Sequence, residues 1–339
     1  MKLAVLAAGA WGSALALAFS RLPSVSVYLW AREPDVADEI LRRRVNSRFL
    51  PGFVFPDSVR VSSVLEEAVF EADRVLIATS VAGLRSTFVA LRDLWRGRPS
   101  APILWACKGF EEKTGSLPHA VLEDVFGADG ACGWAYGALS GPTFAQEVAA
   151  GLPAAITLAA RDMRFATETA RDLHGGHLRL YAHDDLVGVE VGGALKNILA
   201  IATGVCDGLR LGHNARAALM TRGLAEMARL GVALGGRKET FLGLSGTGDT
   251  ILTCTGDLSR NRRVGLALAE GKALPEILAE LGHVAEGVMT AREAYCLAAK
   301  RGIDLPITEA VRRLLDGELT PREAVTSLLA REPANTETR

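Results

Sequence analysis

Cysteine is the first scarcity in this chain of 339 residues. The five present, Cys107, Cys132, Cys206, Cys254 and Cys296, are odd in number and form no CxxC or CxxxxC pair. That argues against a disulfide framework or a cysteine zinc site and points to a reducing cytoplasm. Histidine offers no metal cluster either: His174, His177 and His183 lie close together, but His174-Gly-Gly-His177 reads as a turn and no acidic ligand pattern accompanies it, so no metal is expected. Net charge is also lacking. Lys+Arg 38 against Asp+Glu 39 leaves -1, so no global field recruits nucleic acid or an anionic membrane, and any anion must be bound locally. No internal repeat and no low-complexity linker is present. The 49% hydrophobic composition over this length supports about two domains with cores of their own.

What the chain does have is an apolar run from Val187 to Cys206 that carries a single lysine, Lys196. Ala194, Leu195, Ile198, Leu199, Ile201 and Ala202 recur at the spacing of a buried helix face. The run is long enough to span a membrane, but Glu190, Lys196, Asn197 and the following Asp207 argue for a central helix in a folded domain. Lysine is almost never fully buried unless paired, and a desolvated ammonium has its pKa pulled toward the range useful for proton transfer. Lys196 is therefore a candidate acid/base; the alternative is a stem that snorkels to solvent beside an interface.

The N-terminus is apolar enough for a signal peptide to be considered, but glycines at Gly9 and Gly12 favour a strand over Lys2 to Ala8, a turn, and a helix from Ser13 to Phe19. The spacing matches the dinucleotide pattern GxGxxG, with Gly9 admitting a pyrophosphate and Gly12 letting helix pack on strand. Ala7 stands where its first glycine belongs. A second strand, Val25 to Trp30, ends at Ala31-Arg32-Glu33, offering an arginine for a 2′-phosphate or a carboxylate for a 2′-OH. The basic run RRRVNSR from Arg42 reads as a solvated helix end. Asp73 to Thr79 and Pro102 to Cys107 are further strands separated by helical stretches, which implies a parallel, doubly wound sheet with ligands beyond the strands' carboxyl ends. Lys108-Gly109 and Ser140-Gly141-Pro142-Thr143 fall there. Ala154 to Ala160 and Leu178 to Ala182 finish the sheet. From about Asp184 the chain is almost wholly helical, placing a dinucleotide-binding domain at 1–184, a helical substrate domain at 185–332 and a flexible tail at 333–339.

In the helical half, the glycine-rich turn from Gly243 ends in a carboxylate at Asp249, which on its own could equally be a helix cap. Ser259-Arg260-Asn261-Arg262-Arg263 is a polar, basic loop opening a helix. Thr320-Pro321-Arg322-Glu323 is a capping box for a last helix with an apolar face of Ala324, Val325, Leu328 and Leu329.

Nine ordered motifs together resemble the bacterial-type NAD(P)-dependent glycerol-3-phosphate dehydrogenases: GAWGSALA from Gly9, NSRFLPG from Asn46, KGF from Lys108, LSGPTFAQEV from Leu139, GALKNILAIATGVCDG from Gly193, RGLAEM from Arg222, GTGDTILTC from Gly246, SRNRRVG from Ser259 and VAEGVMTA from Val284. The resemblance implies a Rossmann-type domain followed by a helical one. It also implies cytoplasmic, reversible reduction of dihydroxyacetone phosphate to sn-glycerol 3-phosphate for phospholipid synthesis, with NADP or NAD as cofactor and NADPH used at least as well as NADH. A homodimer without nucleic-acid partner or stable membrane insertion is the accompanying expectation. Carried over by motif, Lys196 is the general acid/base, Lys108 lies against substrate and cofactor, and Asp249 holds Lys196 and Asn197. Ser259, Arg260 and Asn261 bind the substrate phosphate, and Gly141 and Thr143 line the substrate. Gly9, Ala10, Trp11, Gly12, Arg32, Lys108, Ala145, Arg260, Val284 and Glu286 touch the dinucleotide. Besides Ala7, the departures are Thr79 for the usual proline and Thr250 for leucine. Two rivals stand beside this reading: a related two-domain dehydrogenase of a hydroxyacyl or sugar-acid substrate, and a non-enzymatic NAD(P)-binding sensor.

Overall fold

β1 (Lys2–Leu6) is apolar without alternation because both of its faces are covered: Leu3, Ala4, Val5 and Leu6 are all buried. The computed structural model describes residues 1–96, 100–127, 134–282 and 285–330. β1 joins β2 (Ser26–Trp30), β3 (Val45–Asn46), β4 (Leu50–Val54), β5 (Arg60–Ser62), β6 (Arg74–Ile77), β7 (Ile103–Trp105), β8 (Tyr136–Ser140), β9 (Ala154–Ala160) and β10 (Leu178–His183) as the strands among the described residues. Eight of them make one sheet in the order β10-β9-β8-β7-β6-β1-β2-β5, while β3 and β4 form a separate antiparallel pair. From β5 to β8 every neighbour is parallel. Only the β8–β9 junction is antiparallel. The order reverses between β1 and β6, the switch point at which doubly wound sheets bind their ligands.

The chain divides into two compact units, Met1–Cys107 with Pro118–Leu186, and Lys108–Leu117 with the chain from Val187 onward. The first holds the sheet. The second is built, among the described residues, from helices Leu186–Gly208, Gly212–Ala233, Asp249–Thr255, Arg260–Ala269, Leu274–Leu281, Glu286–Lys300, Pro306–Leu315 and Pro321–Leu329. A Rossmann-type sheet domain and a helical domain are thus both present. Lys108–Leu117 leaves the strand series to join the helices: Phe110 and Leu117 enter the second core, and the Lys113 N–H donates to the buried Glu293 at 3.1 Å.

Helix Leu186–Gly208 is long and apolar enough to cross a membrane by composition, yet 94% of its most apolar window is buried inside the protein. Glu226, within the RGLAEM motif, accepts the N–H groups of Ile307 and Thr308 at 2.6 and 3.2 Å and so caps helix Pro306–Leu315. The capping box forms as expected, with Glu323 N donating to Thr320 Oγ1 at 3.2 Å and Thr320 N to Glu323 Oε2 at 2.7 Å. Leu329 departs from the expected apolar face and is 81% exposed.

The turn after β1 keeps its shape without its first glycine. Ala7 adopts φ +93°, and its N–H donates to Trp30 O at 3.0 Å. A Cβ on Gly12 would lie 1.9 Å from the Ala7 carbonyl oxygen, so helix Ala10–Phe19 packs directly on this turn. An L-residue in the left-handed region costs roughly 1–2 kcal/mol, whereas glycine costs about 0.4–1 kcal/mol through the unfolded chain. Ala7→Gly is therefore expected to raise the melting temperature by about 1–3 °C; a value at or below wild type in differential scanning calorimetry would show that the turn accommodates alanine without strain.

The segment from Arg42 is more than a solvated helix end. Arg42 and Arg43 close helix Pro34–Arg43, but the Arg44 guanidinium donates to Phe55 O at 3.2 Å and Val59 O at 2.9 Å. Asn46 is fully buried, donating to Ala8 O at 2.7 Å and Ser13 Oγ at 2.9 Å. It therefore braces the glycine turn, a role that residue patterns in the chain do not reveal.

Candidate active site

Three motifs far apart in sequence converge on one carboxylate in the second unit. Asp249 opens helix Asp249–Thr255 and is completely buried; its side chain caps nothing. Its Oδ1 accepts from Lys196 Nζ at 2.7 Å and its Oδ2 from Lys108 Nζ at 2.6 Å. Lys196 also donates to Thr253 Oγ1 at 2.9 Å, and Thr253 donates in turn to Asp249 Oδ1 at 3.2 Å. Thr253 went unnoticed in the sequence, although its position four residues after Asp249 puts both on one helix face. With its side chain 9% exposed, Lys196 is paired rather than snorkelling. Two of the three ammonium hydrogens are engaged among the described residues, leaving one for a ligand oxygen.

Burial pulls Lys196 down from 10.5 to about 8; Asp249 opposes the shift and Lys108 adds to it. At Asp249 burial pushes the carboxyl up, but the two ammonium groups outweigh it and hold it below the ordinary carboxylate range. The cluster thus has a firmly ionised anion beneath a lysine that exchanges its proton near neutrality. Burial pushes the neighbouring Cys254 thiol up to about 12, which makes it unreactive as a nucleophile. Thr250, at one of the departures, has a buried hydroxyl without a hydrogen-bond partner.

The polar loop follows helix Asp249–Thr255 in the chain. Ser259 is the N-cap of helix Arg260–Ala269, accepting from Arg262 N at 3.2 Å, and its own O–H remains a donor. Arg260 is the first residue of that helix and is exposed. Asn261 is buried; it donates to Asn197 Oδ1 at 2.9 Å and accepts from Gly287 N at 3.0 Å. Asn197 and Asn261 therefore tie the lysine helix, the loop and the start of helix Glu286–Lys300 together. Glu286 is the first residue of that last helix, and its charge reaches Lys196. Val284 lies outside the described residues, as does the tail expected at 333–339.

The sheet unit carries the dinucleotide candidates. Gly9 is an N-cap without a side chain, Ala10 and Trp11 form the first turn of helix Ala10–Phe19, and a Cβ on Gly9 would meet nothing within 4 Å. An open, uncapped helix N-terminus suits a pyrophosphate. Among the described residues Trp11 Nε1, Thr79 Oγ1 and Ser140 Oγ are buried without hydrogen-bond partners, polar atoms of the kind a bound dinucleotide satisfies. These residues fit a bound dinucleotide. Gly141 and Thr143 follow β8, with Thr143 Oγ1 donating to Gly141 O at 3.3 Å, and Ala145 begins helix Ala145–Ala150. Arg32 is 73% exposed at its side chain and bonds Glu33 at 2.9 Å, so guanidinium and carboxylate face each other.

Comparison with known proteins identifies the family of the chain as a whole. The profile described as NAD-dependent glycerol-3-phosphate dehydrogenase N-terminus matches residues 2–166, and that described as its C-terminus matches residues 185–326. A glycerol-3-phosphate dehydrogenase (NAD(P)+) of Dechloromonas aromatica is 60% identical over 333 residues, covering 98% of each chain. The enzyme of that name from Nitrosospira multiformis is 54% identical over 335 residues, again covering 98% of each. A crystal structure of glycerol-3-phosphate dehydrogenase from Coxiella burnetii is 41% identical and superposes with a TM-score of 0.90 over 97% of this chain and 99% of that one. With both halves matched and identity this high over nearly its whole length, the chain belongs to the NAD-dependent glycerol-3-phosphate dehydrogenase family.

Proposed function

We propose that this chain catalyses the reversible reduction of dihydroxyacetone phosphate to sn-glycerol 3-phosphate with NADPH or NADH, supplying glycerol phosphate for phospholipid synthesis. The observation that carries the reading is the Lys108–Asp249–Lys196 cluster, a buried proton donor and a second cation sharing one anion. Bound NAD(P)H supplies the hydride. As negative charge develops on the ketone oxygen, the free hydrogen of the Lys196 ammonium moves to it, and Lys108 stabilises the charge. Asp249 and Thr253 orient Lys196, and Asp249 stays ionised throughout. Ser259, Arg260 and Asn261 are assigned to the substrate phosphate, with Gly141 and Thr143 along the substrate. Gly9, Ala10, Trp11, Gly12, Arg32, Ala145, Val284 and Glu286 are assigned to the dinucleotide. NADH and NADPH oxidation assayed with dihydroxyacetone phosphate tests the whole; no turnover with either cofactor would favour a non-enzymatic sensor, and turnover only with hydroxyacyl or sugar-acid substrates a related dehydrogenase.

Two substitutions refine the assignments. Arg260→Ala is expected to raise KM for dihydroxyacetone phosphate roughly ten- to a hundredfold, since a charged hydrogen bond is worth about 1.5–3 kcal/mol, while leaving the unphosphorylated ketone much less affected. Equal losses for both ketones would remove the phosphate role. At Arg32 the exposed ion pair with Glu33 is worth about 0–1 kcal/mol, less than a bidentate contact with a 2′-phosphate, so the guanidinium exchanges one partner for the other. Arg32→Ala should weaken NADPH roughly five- to thirtyfold and NADH far less. An unchanged ratio of the two KM values would leave Arg32 a surface residue.

We also infer a cytoplasmic homodimer. Scarce cysteines without CxxC spacing support the compartment, and exposed Val232, Leu242 and Ile251 on the helical unit support a partner surface. Light scattering after gel filtration checks the dimer.

A further inference from the structure

Asp207 lies eleven positions after Lys196 on helix Leu186–Gly208, just over three full turns, so both lie near one side of it about 16.5 Å apart along the axis. Asp207 is not part of the lysine cluster, yet its carboxylate is 15% exposed and binds two guanidinium groups. Arg262 reaches its Oδ2 through Nε at 3.1 Å and Nη2 at 2.8 Å. Arg216, on helix Gly212–Ala233, contributes Nη1 to both oxygens at 3.2 and 3.1 Å. The exposed Asp257 takes the remaining Arg262 nitrogen, Nη1, at 2.9 Å, and His213 Nδ1 lies 3.0 Å from Arg216 Nη2.

Arg262 has a double attachment. Its backbone N–H closes the Ser259 cap, and its side chain grips the helix that carries Lys196. Between these points the two helices touch without side chains to cushion them: a Cβ on Gly204 would lie 2.1 Å from Arg262 O, and one on Gly265 would lie 2.1 Å from Ile201 O. At the other end, Asn261 bonds Asn197 at 2.9 Å. Helix Arg260–Ala269 is thus fixed to the lysine helix at three levels, by an amide pair, a backbone contact and a charged fork. With Nε and Nη2 both on Oδ2, the planar guanidinium is held at two of its nitrogens, which a single point charge would not be.

We propose that Asp207 is a positioning residue that sets the separation between the Lys196 ammonium and the Ser259–Asn261 loop, and so selects ketones whose phosphate ester sits at one fixed distance from the carbonyl. The proposal rests on the assignment of that loop to the substrate phosphate. Without the carboxylate, Arg262 and Arg216 repel each other and Arg262 is released from the lysine helix. The cap that orients Ser259 and Arg260 then loses its side-chain anchor. A displacement of about 1 Å in a binding handle can cost on the order of a hundredfold in rate.

The test compares Asp207→Asn, Asp207→Glu, Arg262→Lys and Arg260→Ala, using dihydroxyacetone phosphate and unphosphorylated dihydroxyacetone at saturating NADPH, with melting temperature and NADPH binding measured alongside. For Asp207→Asn, kcat/KM for the phosphorylated ketone should fall at least about tenfold, mostly through KM, while that for dihydroxyacetone and the Kd for NADPH stay within about threefold. Asp207→Glu should restore part of the loss. Arg262→Lys, which keeps the charge and loses the fork, should shift the same ratio in the same direction, and it decides the matter if Asp207→Asn melts far below wild type. Equal losses for both ketones, or none, overturn the proposal. If Arg260→Ala separates the two ketones and neither Asp207→Asn nor Arg262→Lys does, the latch alone is refuted. If Arg260→Ala fails to separate them, the phosphate assignment itself falls.

Discussion

Lys196→Met is expected to lower kcat for dihydroxyacetone phosphate reduction by about 10²–10⁴-fold while NAD(P)H binding stays within about twofold. Methionine matches the length of the lysine stem and suits the apolar helix, so packing is kept and only the ammonium is lost. Asp249 retains Lys108 at 2.6 Å, so no carboxylate is left unpaired. The same assignment fixes the sign of the pH dependence. Burial lowers Lys196 to about 8, against the attraction of Asp249 and with the help of Lys108. Reduction needs the protonated lysine, so its kcat/KM should be level below about pH 8 and fall tenfold per unit above it; oxidation of glycerol 3-phosphate needs the neutral lysine and should rise up to the same pH. A variant keeping more than about a tenth of wild-type kcat, or a reduction profile level to pH 10, would remove Lys196 from the chemistry.

The second large effect is expected at Asp249→Asn, and the magnitudes decide how it shows itself. Taking away the anion leaves two close ammonium groups in a buried site, which as fixed charges would cost about 3–5 kcal/mol. Lys196 has another course, because releasing a proton at pH 7 from a group with a pKa near 8 costs only about 1.4 kcal/mol. The cheaper course wins. The variant should fold with modest loss of melting temperature and a neutral Lys196, so the loss appears as activity. We expect reduction at pH 7.5 to fall by on the order of a hundredfold, with its falling limb moved to lower pH, and oxidation to be impaired less. An unchanged pH profile, or equal impairment of both directions, would mean that Asp249 organises the backbone rather than the charge of Lys196.

How far the sequence reached differs between the two units for physical reasons. Strands β1, β6, β7 and β9 were readable because strands covered on both faces are short apolar runs between polar turns, and β2 and β10 because their one covered face still carries enough apolar residues. β8 was not, since YGALS carries too few bulky residues and its pairing partners come from distant sequence. The β3–β4 pair and β5 were missed as well, being too short or too polar for a period. Lys196 could be singled out because a lone cation in an apolar helix violates local expectation, and Asp249 and Arg260 because polar residues gathered beside glycine. Thr253 and Asn46 look ordinary in sequence; only their buried partners make them supports.

The sequence by itself determined the alternation of strands and helices followed by a helical half, the family and the candidate acid, because each depends on local periodicity, turn residues or a motif read along the chain. The tertiary structure alone decided that Lys108–Leu117 belongs with the helices, that one carboxylate serves Lys108 and Lys196 together, and that Asp207 joins three helices through Arg216 and Arg262. Most of those facts depend on side chains that meet across more than fifty residues of chain, for example Lys196 and Asp249 at a separation of 53, while Arg216 and Asp207, nine residues apart, meet only because two helices turn back on each other. The pKa of a buried lysine is set by that meeting, since desolvation and the nearest charges act through space and leave no trace in the order of residues.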